Sequence, residues 1–187
     1  MQKPPELTII ARMHSDFPTK FGIPRQSGMV DALKSFIVFE PQFRNRQALR
    51  GLEEFSHLWL IWGFSEVKRG QWYATVRPPR LGGNSRKGVF ATRSPYRPNP
   101  LGLSCVKLDA IVMHPQLGPV LHVCGADLMD NTPIYDIKPY LAFTDSHPDA
   151  IGGFADKCRD HVLDVDFPEH LINLIPQERR AALLGVL

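Results

Sequence analysis

The chain has 187 residues, 43% of them hydrophobic and 22% charged, with a formal net charge of +3, the balance of one globular domain with a short appendage. Its 17 prolines are about 9% of the chain against a typical ~5%, which excludes long uninterrupted helices. Membrane spans and secretory leaders find no matching pattern, and Cys105, Cys124 and Cys158 form neither a CxxC pair nor an even framework, so a reducing, cytoplasmic setting is expected.

Residues 7–12 (LTIIAR) read as a first strand, and 14–29, rich in turn formers, as a loop. Residues 35–39 (SFIVF) form a second strand, followed by a short helix over 45–55 with Asn45 as its N-cap. The longest apolar run, 57–64 (HLWLIWGF), suits a buried central strand. A strand over 71–77 stops at Pro78-Pro79, because proline cannot donate to a ladder. Short and long strands follow over 88–93 and 103–113. A turn at 116–119 leads to strands over 120–127 and 132–139. Residues 168–187 carry a helical pattern with Pro176 opening a second turn, and no C-cap glycine or polar tail follows. A further element is expected beyond Leu187. Many short strands between proline- and glycine-rich turns make the expected fold mainly β, a closed or nearly closed single-sheeted barrel with few short helices and a helical C-terminal segment.

The charge is segregated. Residues 67–108 contain no Asp or Glu but hold Lys68, Arg69, Arg77, Arg80, Arg86, Lys87, Arg93, Arg97 and Lys107, whereas 109–170 are strongly acidic. Trp72, Tyr73, Phe90 and Tyr96 lie among the cations, and arginines with aromatics on irregular backbone suit phosphates and splayed bases. The same blocks could instead be a solvated surface or two faces of one protein meeting. No GxGxxG or GxxxxGK[ST] loop, HExxH helix or GxSxG elbow occurs, so dinucleotide, P-loop, zinc-protease and α/β-hydrolase sites are disfavoured and no metal is expected. Three dense polar loops remain: 21–28 (FGIPRQSG), 77–103 (RPPRLGGNSRKGVFATRSPYRPNPLGL) and 126–140 around Asp127, Asp130 and Asp136. Each could be no more than a set of turns, since Asp and Asn bond their own backbone readily.

Together with GLEEFSHLWLIWGF and DLMDNTPIYDIKPYL, these loops resemble, in order and spacing, the TrmO (TsaA-like or YaeB-like) family of tRNA adenine N6-methyltransferases, from about residue 7 to about 146. The resemblance implies a single-sheeted β-barrel over 1–148 that binds S-adenosylmethionine, works as a homodimer with the cofactor near the interface, and methylates N6 of threonylcarbamoyladenosine at position 37 of threonine tRNAs. Residues 149–187 then look like the start of a small C-terminal domain. Carried onto this sequence, the family's cofactor contacts fall on Pro24, Arg25, Gln26, Arg93, Leu103, the Asp127 neighbourhood and, through backbone, the loop with Ser65 and Glu66. Asp127, Asp130, Asp136 and Tyr140 are the candidates for handling the proton on N6. Arg77, Arg80, Arg86, Lys87 and Arg97 are the candidates for substrate carboxylate or RNA phosphate. A non-catalytic RNA-binding barrel, an S-adenosylmethionine enzyme acting on an anionic small molecule, and a structural interaction protein stay open as alternatives.

Overall fold

A computed structural model describes residues 6–67, 70, 72–158 and 165–187. Among the described residues there are eight strands: β1 (Ala11–His14), β2 (Lys34–Phe39), β3 (His57–Gly63), β4 (Thr75–Val76), β5 (Lys87–Gly88), β6 (Leu101–His114), β7 (Gly118–Cys124) and β8 (Pro133–Pro139). Three short helices come after them: α1 (Ala142–Asp145), α2 (Glu169–Ile172) and α3 (Gln177–Val186). Six strands form one antiparallel sheet in the order β1-β2-β7-β6-β3-β8, and β8 pairs back onto β1, so the ladder closes on itself. β4 and β5 make a separate two-stranded ribbon.

Alternation places the core. Leu58, Leu60 and Trp62 of β3, Val106 of β6, Leu121 and Val123 of β7 and Ile134 of β8 turn inward as one buried cluster with Ala11, Met13 and Ile37, while the residues between them face outward, as a period of two requires. β6 is long enough to serve two neighbours. Residues 101–107 pair with β3, and the stretch from Lys107 to His114 pairs with β7. Where β7 ends at Cys124, opposite Lys107, one edge of β6 is left for other partners.

Several elements depart from the sequence reading. The first strand starts later, at Ala11, because its bounds are set by pairing with β2 and β8; Leu7 lies outside it and is exposed. Asn45 does cap, its side chain accepting the Gln47 N–H at 2.9 Å, yet the capped segment is two 3-10 turns, Arg46–Leu49 and Leu52–Glu54. Gly51 at φ +85 stands between them and interrupts any helix. The strands expected over 71–77 and 88–93 shrink to the two-residue β4 and β5, with a 3-10 turn at Val89–Ala91; Gln71 lies outside the described residues. Pro119, expected in a turn, already belongs to β7. Among the described residues no helix is long and apolar enough to cross a membrane.

Candidate functional site

The edge of β6 freed by β7 is where the polar loops converge. The Cys105 N–H, which has lost its strand partner, donates to Ser27 Oγ at 3.1 Å, and the Gly28 N–H donates to the Gly125 carbonyl at 2.8 Å. These two bonds dock the loop carrying Pro24, Arg25 and Gln26 on the sheet. One residue earlier on β6, Ser104 is buried at 1% exposure. Its hydroxyl accepts from Trp62 Nε1 at 2.9 Å and donates to Asp127 Oδ1 at 2.6 Å. Buried polar groups must be paired, and Ser104 meets that demand by joining the indole of the core to a carboxylate at the surface.

Asp127 is held between opposing influences. Burial pushes its carboxyl above the usual range, while hydrogen bonds from Ser104 and from the Asp127 and Ser27 backbones, and the Arg93 charge, pull it down; burial prevails. The Arg93 guanidinium donates to Gln26 Oε1, and Gln26 Nε2 donates to the Arg25 carbonyl. Trp62, Ser104, Asp127, Arg93 and Gln26 thus lie in one neighbourhood that runs from core to surface. Leu103, between Gly102 and Ser104, turns the other way and stays exposed. Ser65 and Glu66 occupy an exposed turn just after β3.

Arg25, Gln26 and Arg93 open into a cleft of ≈ 1380 Å³, whose walls include Arg77, Arg86, Phe90 and Tyr96 and, among the described residues, no acidic side chain. The Tyr73 and Tyr96 rings meet edge-on at 5.5 Å within it. The basic residues of this region divide by task. Arg97 spends its Nη1 on the backbone carbonyls of Val89, Thr92 and Ser94, at 3.5, 2.8 and 3.3 Å, stapling the loop. Arg86 donates to Thr75 Oγ1 at 3.1 Å across the β4–β5 ribbon. Arg77 is exposed at the end of β4, and Lys87 is half-buried on β5; the Arg80 side chain lies outside the described set. A smaller cavity of ≈ 460 Å³, lined by Arg46, Arg50, Glu53 and Met113 among others, sits toward the other end of β6 and has mixed charge.

The acids proposed for proton handling are not brought together. Asp130 accepts the Ser15 N–H at 3.2 Å and lies 3.3 Å from His14 Nδ1. Asp136 pairs with Lys138 at 3.0 Å on β8, and Tyr140 packs against the His57 and Trp59 rings. Asp127 alone of the four joins the Arg93–Gln26 group. Ser27, Ser104 and Trp62 complete that group although sequence reasoning did not single them out. Ser27 and Ser104 directly follow Gln26 and Leu103 in their motifs, which was the available signal. Among the described residues no group of three or more His, Cys, Asp or Glu could hold a metal ion.

Comparison with known proteins agrees with this arrangement. A model of the tRNA-methyltransferase O N-terminal domain matches residues 12–146. A tRNA (adenine(37)-N6)-methyltransferase of Escherichia coli K12 is 44% identical over 158 residues, covering 84% of this chain and 67% of that protein. A putative S-adenosylmethionine-dependent methyltransferase, RcsF, of Pseudomonas aeruginosa is 44% identical over 147 residues, covering 79% of this chain and 59% of its own. A solved structure described as TrmO superposes with a TM-score of 0.66 at 35% identity, covering 82% of this chain and 65% of that one. The chain spans about two thirds of these relatives' length or less. Its motifs, closed sheet and convergent loops are those of one lineage: the chain belongs to the tRNA-methyltransferase O N-terminal domain family.

Proposed function

We propose that this chain transfers a methyl group from S-adenosylmethionine to N6 of adenine 37 in tRNA, and that the adenine already carries a threonylcarbamoyl group, in threonine tRNA. The observation that carries the reading is the arginine-lined cleft, free of acids among the described residues, that opens directly beside the Gln26–Arg93–Asp127 group. The donor set suits the cofactor. Guanidinium groups at Arg25 and Arg93 match a carboxylate, the Asp127 carboxylate and Gln26 amide match an ammonium or ribose hydroxyls, and Phe90 and Leu103 offer apolar surface to a purine. The closed six-strand order supports reading residues 1–148 as the family's single-sheeted barrel, with 149–187 as an extension of it. The homodimer with the cofactor near the interface rests on the resemblance to the family. A tRNA substrate and cysteines read as free thiols fit a cytoplasmic enzyme.

Bound S-adenosylmethionine supplies a methyl group on a sulfonium centre, whose bonding pair returns to sulfur on transfer. The work left to this chain is positioning and electrostatics. Adenine N6 gains positive charge as it takes the methyl group and then sheds one proton, so a carboxylate accepting its N–H lowers the barrier. Asp127 is the acid placed among the proposed cofactor residues, with Asp130, Asp136 and Tyr140 in separate clusters. Arg77 and Arg86, which line the cleft, take the threonylcarbamoyl carboxylate and the RNA phosphates, and Arg97 holds their loop in shape. The test is methyl transfer from labelled S-adenosylmethionine to tRNA with and without the threonylcarbamoyl group, followed by nucleoside mass analysis. A product one methyl heavier, from modified tRNA alone, is expected. Transfer to unmodified tRNA refutes the substrate assignment, and neither cofactor binding nor transfer refutes the enzyme reading.

A further inference from the structure

The cleft continues past the family domain. Gly152, Phe154 and Ala155 line it, although the family match stops at residue 146. They belong to the segment leading into a 3-10 turn over Gly153–Cys158, closed where the Gly152 N–H donates to Asp156 Oδ2 at 2.7 Å. A Cβ at position 152 would collide with that same carboxylate, and Gly153 sits at φ +62, so glycines permit this closure. The turn packs against the Pro79–Leu81 turn, which seats the half-buried Phe154 ring in the cleft wall. The extension is also anchored at its far end. α3 brings Gly185 against Val30, so close that a Cβ would overlap the valine methyl, and Arg179 lies 3.5 Å from Asp16. Val30 lies just beyond the Pro24–Ser27 loop, so the extension reaches that region from two sides.

The chemistry of the cleft selects its occupant. Guanidinium groups with no acid beside them among the described residues, interleaved with the Phe90, Tyr96 and Phe154 rings, suit a polyanion whose planar groups are unstacked, which is a single-stranded RNA loop. A volume of ≈ 1380 Å³ also exceeds the roughly 300–1,000 Å³ of a small-molecule site. We propose that Phe154 is a substrate-binding residue, its ring the platform on which an unpaired nucleobase of the substrate loop stacks. The segment outside the family domain then takes part in holding the RNA. This rests on the methyltransferase reading above.

Steady-state methyl transfer to tRNA, cofactor titration, and binding of an anticodon-loop hairpin carrying 2-aminopurine beside the methylated adenine test it together. Phe154→Ala is expected to raise the KM for tRNA about ten-fold, the scale of one lost base–aromatic stack, to remove part of the 2-aminopurine quenching, and to leave the cofactor Kd unchanged. Phe154→Trp is expected to restore both KM and quenching. Wild-type KM and quenching in Phe154→Ala, or no rescue in a Phe154→Trp variant that melts with the wild type, overturns the proposal while the methyltransferase reading stands. A wild-type protein that methylates no tRNA overturns that reading, and the proposal with it.

Discussion

Gly102→Ala tests whether the core and the candidate site are mechanically one unit. Gly102 pairs with Trp62 across β6 and β3, and a Cβ there would overlap three ring atoms of the indole. Neither partner moves cheaply. Gly102 lies in the ladder, and Trp62 is only 8% exposed, packed edge-on against Phe64 at 4.4 Å and bonded to Ser104 at 2.9 Å. Overpacking of this kind costs about 1–3 kcal/mol. Rotating the indole away adds about 0.5–1.5 kcal/mol for the lost hydrogen bond. The sum is about 1.5–4.5 kcal/mol, which for a chain of this size lowers Tm by roughly 3–18 °C. Because Ser104 passes the strain to Asp127, cofactor affinity is expected to fall as well. Gly88→Ala is the matched control. Its Cβ meets nothing within 4 Å and its φ of −57 suits any residue, so Tm should hold, or rise slightly through the stiffer unfolded chain. Scanning calorimetry without cofactor, then titration with S-adenosylmethionine, reads both. Gly102→Ala melting with the wild type, or Gly88→Ala falling as far, refutes the reasoning.

The same geometry sets three further outcomes. Asp127 binds its proton more tightly folded than unfolded, so its ionised form costs stability at neutral pH, and that cost fades as pH falls through the raised folded pKa and is gone below the unfolded value of 3.8. Asp127→Asn should therefore melt at or above wild type at neutral pH, converge with it in acid, and lose cofactor affinity; a markedly lower Tm at neutral pH contradicts this. Asp145 is the opposite case. Its carboxylate accepts the Leu141 N–H and Trp59 Nε1–H, both at 2.9 Å, and these bonds hold its pKa below 3.8. The stabilisation it gives is present above 3.8 and lost as pH falls through the lower folded value, so Asp145→Asn should remove an acid-limb change in Trp59 fluorescence, and an unaltered profile counts against it. Arg97→Ala and Arg77→Ala should separate structure from contact. The first is expected to speed proteolysis within 89–97, whereas the second leaves proteolysis unchanged and lowers the salt slope of tRNA binding by about 0.7–1. Equal effects of the two on salt dependence would show that the guanidinium of Arg97 is not committed to its carbonyls.

The parts of the fold that periodicity reports are the parts that bury a face. Residues 57–64 and 103–113 alternate or run apolar because β3 and β6 each turn one side into the core, and both were legible. The stretches 71–77 and 88–93 carry β-forming residues for another reason. Val89, 1% exposed, anchors a 3-10 turn rather than a ladder, and its carbonyl accepts the Thr92 N–H at 3.1 Å and the Thr92 hydroxyl at 2.9 Å. Local propensity cannot distinguish those two uses of a valine, because β-propensity reports how a side chain packs and is buried, which either use satisfies. The same holds for 45–55, where a correct cap at Asn45 leads into 3-10 turns because Gly51 sits in the left-handed region.

Charge patterning was legible as a pattern, and the structure narrows what it means. If the basic stretch existed to neutralise the acidic one, its arginines should be found on carboxylates. The ion pairs between described side chains, Arg12–Glu40, His14–Asp130, Lys138–Asp136 and Arg179–Asp16, draw none of their cations from 67–108. Arg97 and Arg86 instead bond neutral oxygens of the loop itself, and the Arg93 charge acts on Asp127. Arg25, Arg77, Arg86 and Arg93 line the cleft, where among the described residues no acid answers them. Holding so many guanidinium groups together without counter-charge is costly to the folded state by self-repulsion, and a fold that also stiffens the loop with prolines and an arginine staple concentrates that cost at one opening. An anionic partner entering there relieves it. The position of that relief, beside Gln26, Arg93 and Asp127, is what links the electrostatics of a loop to the chemistry of a group transfer.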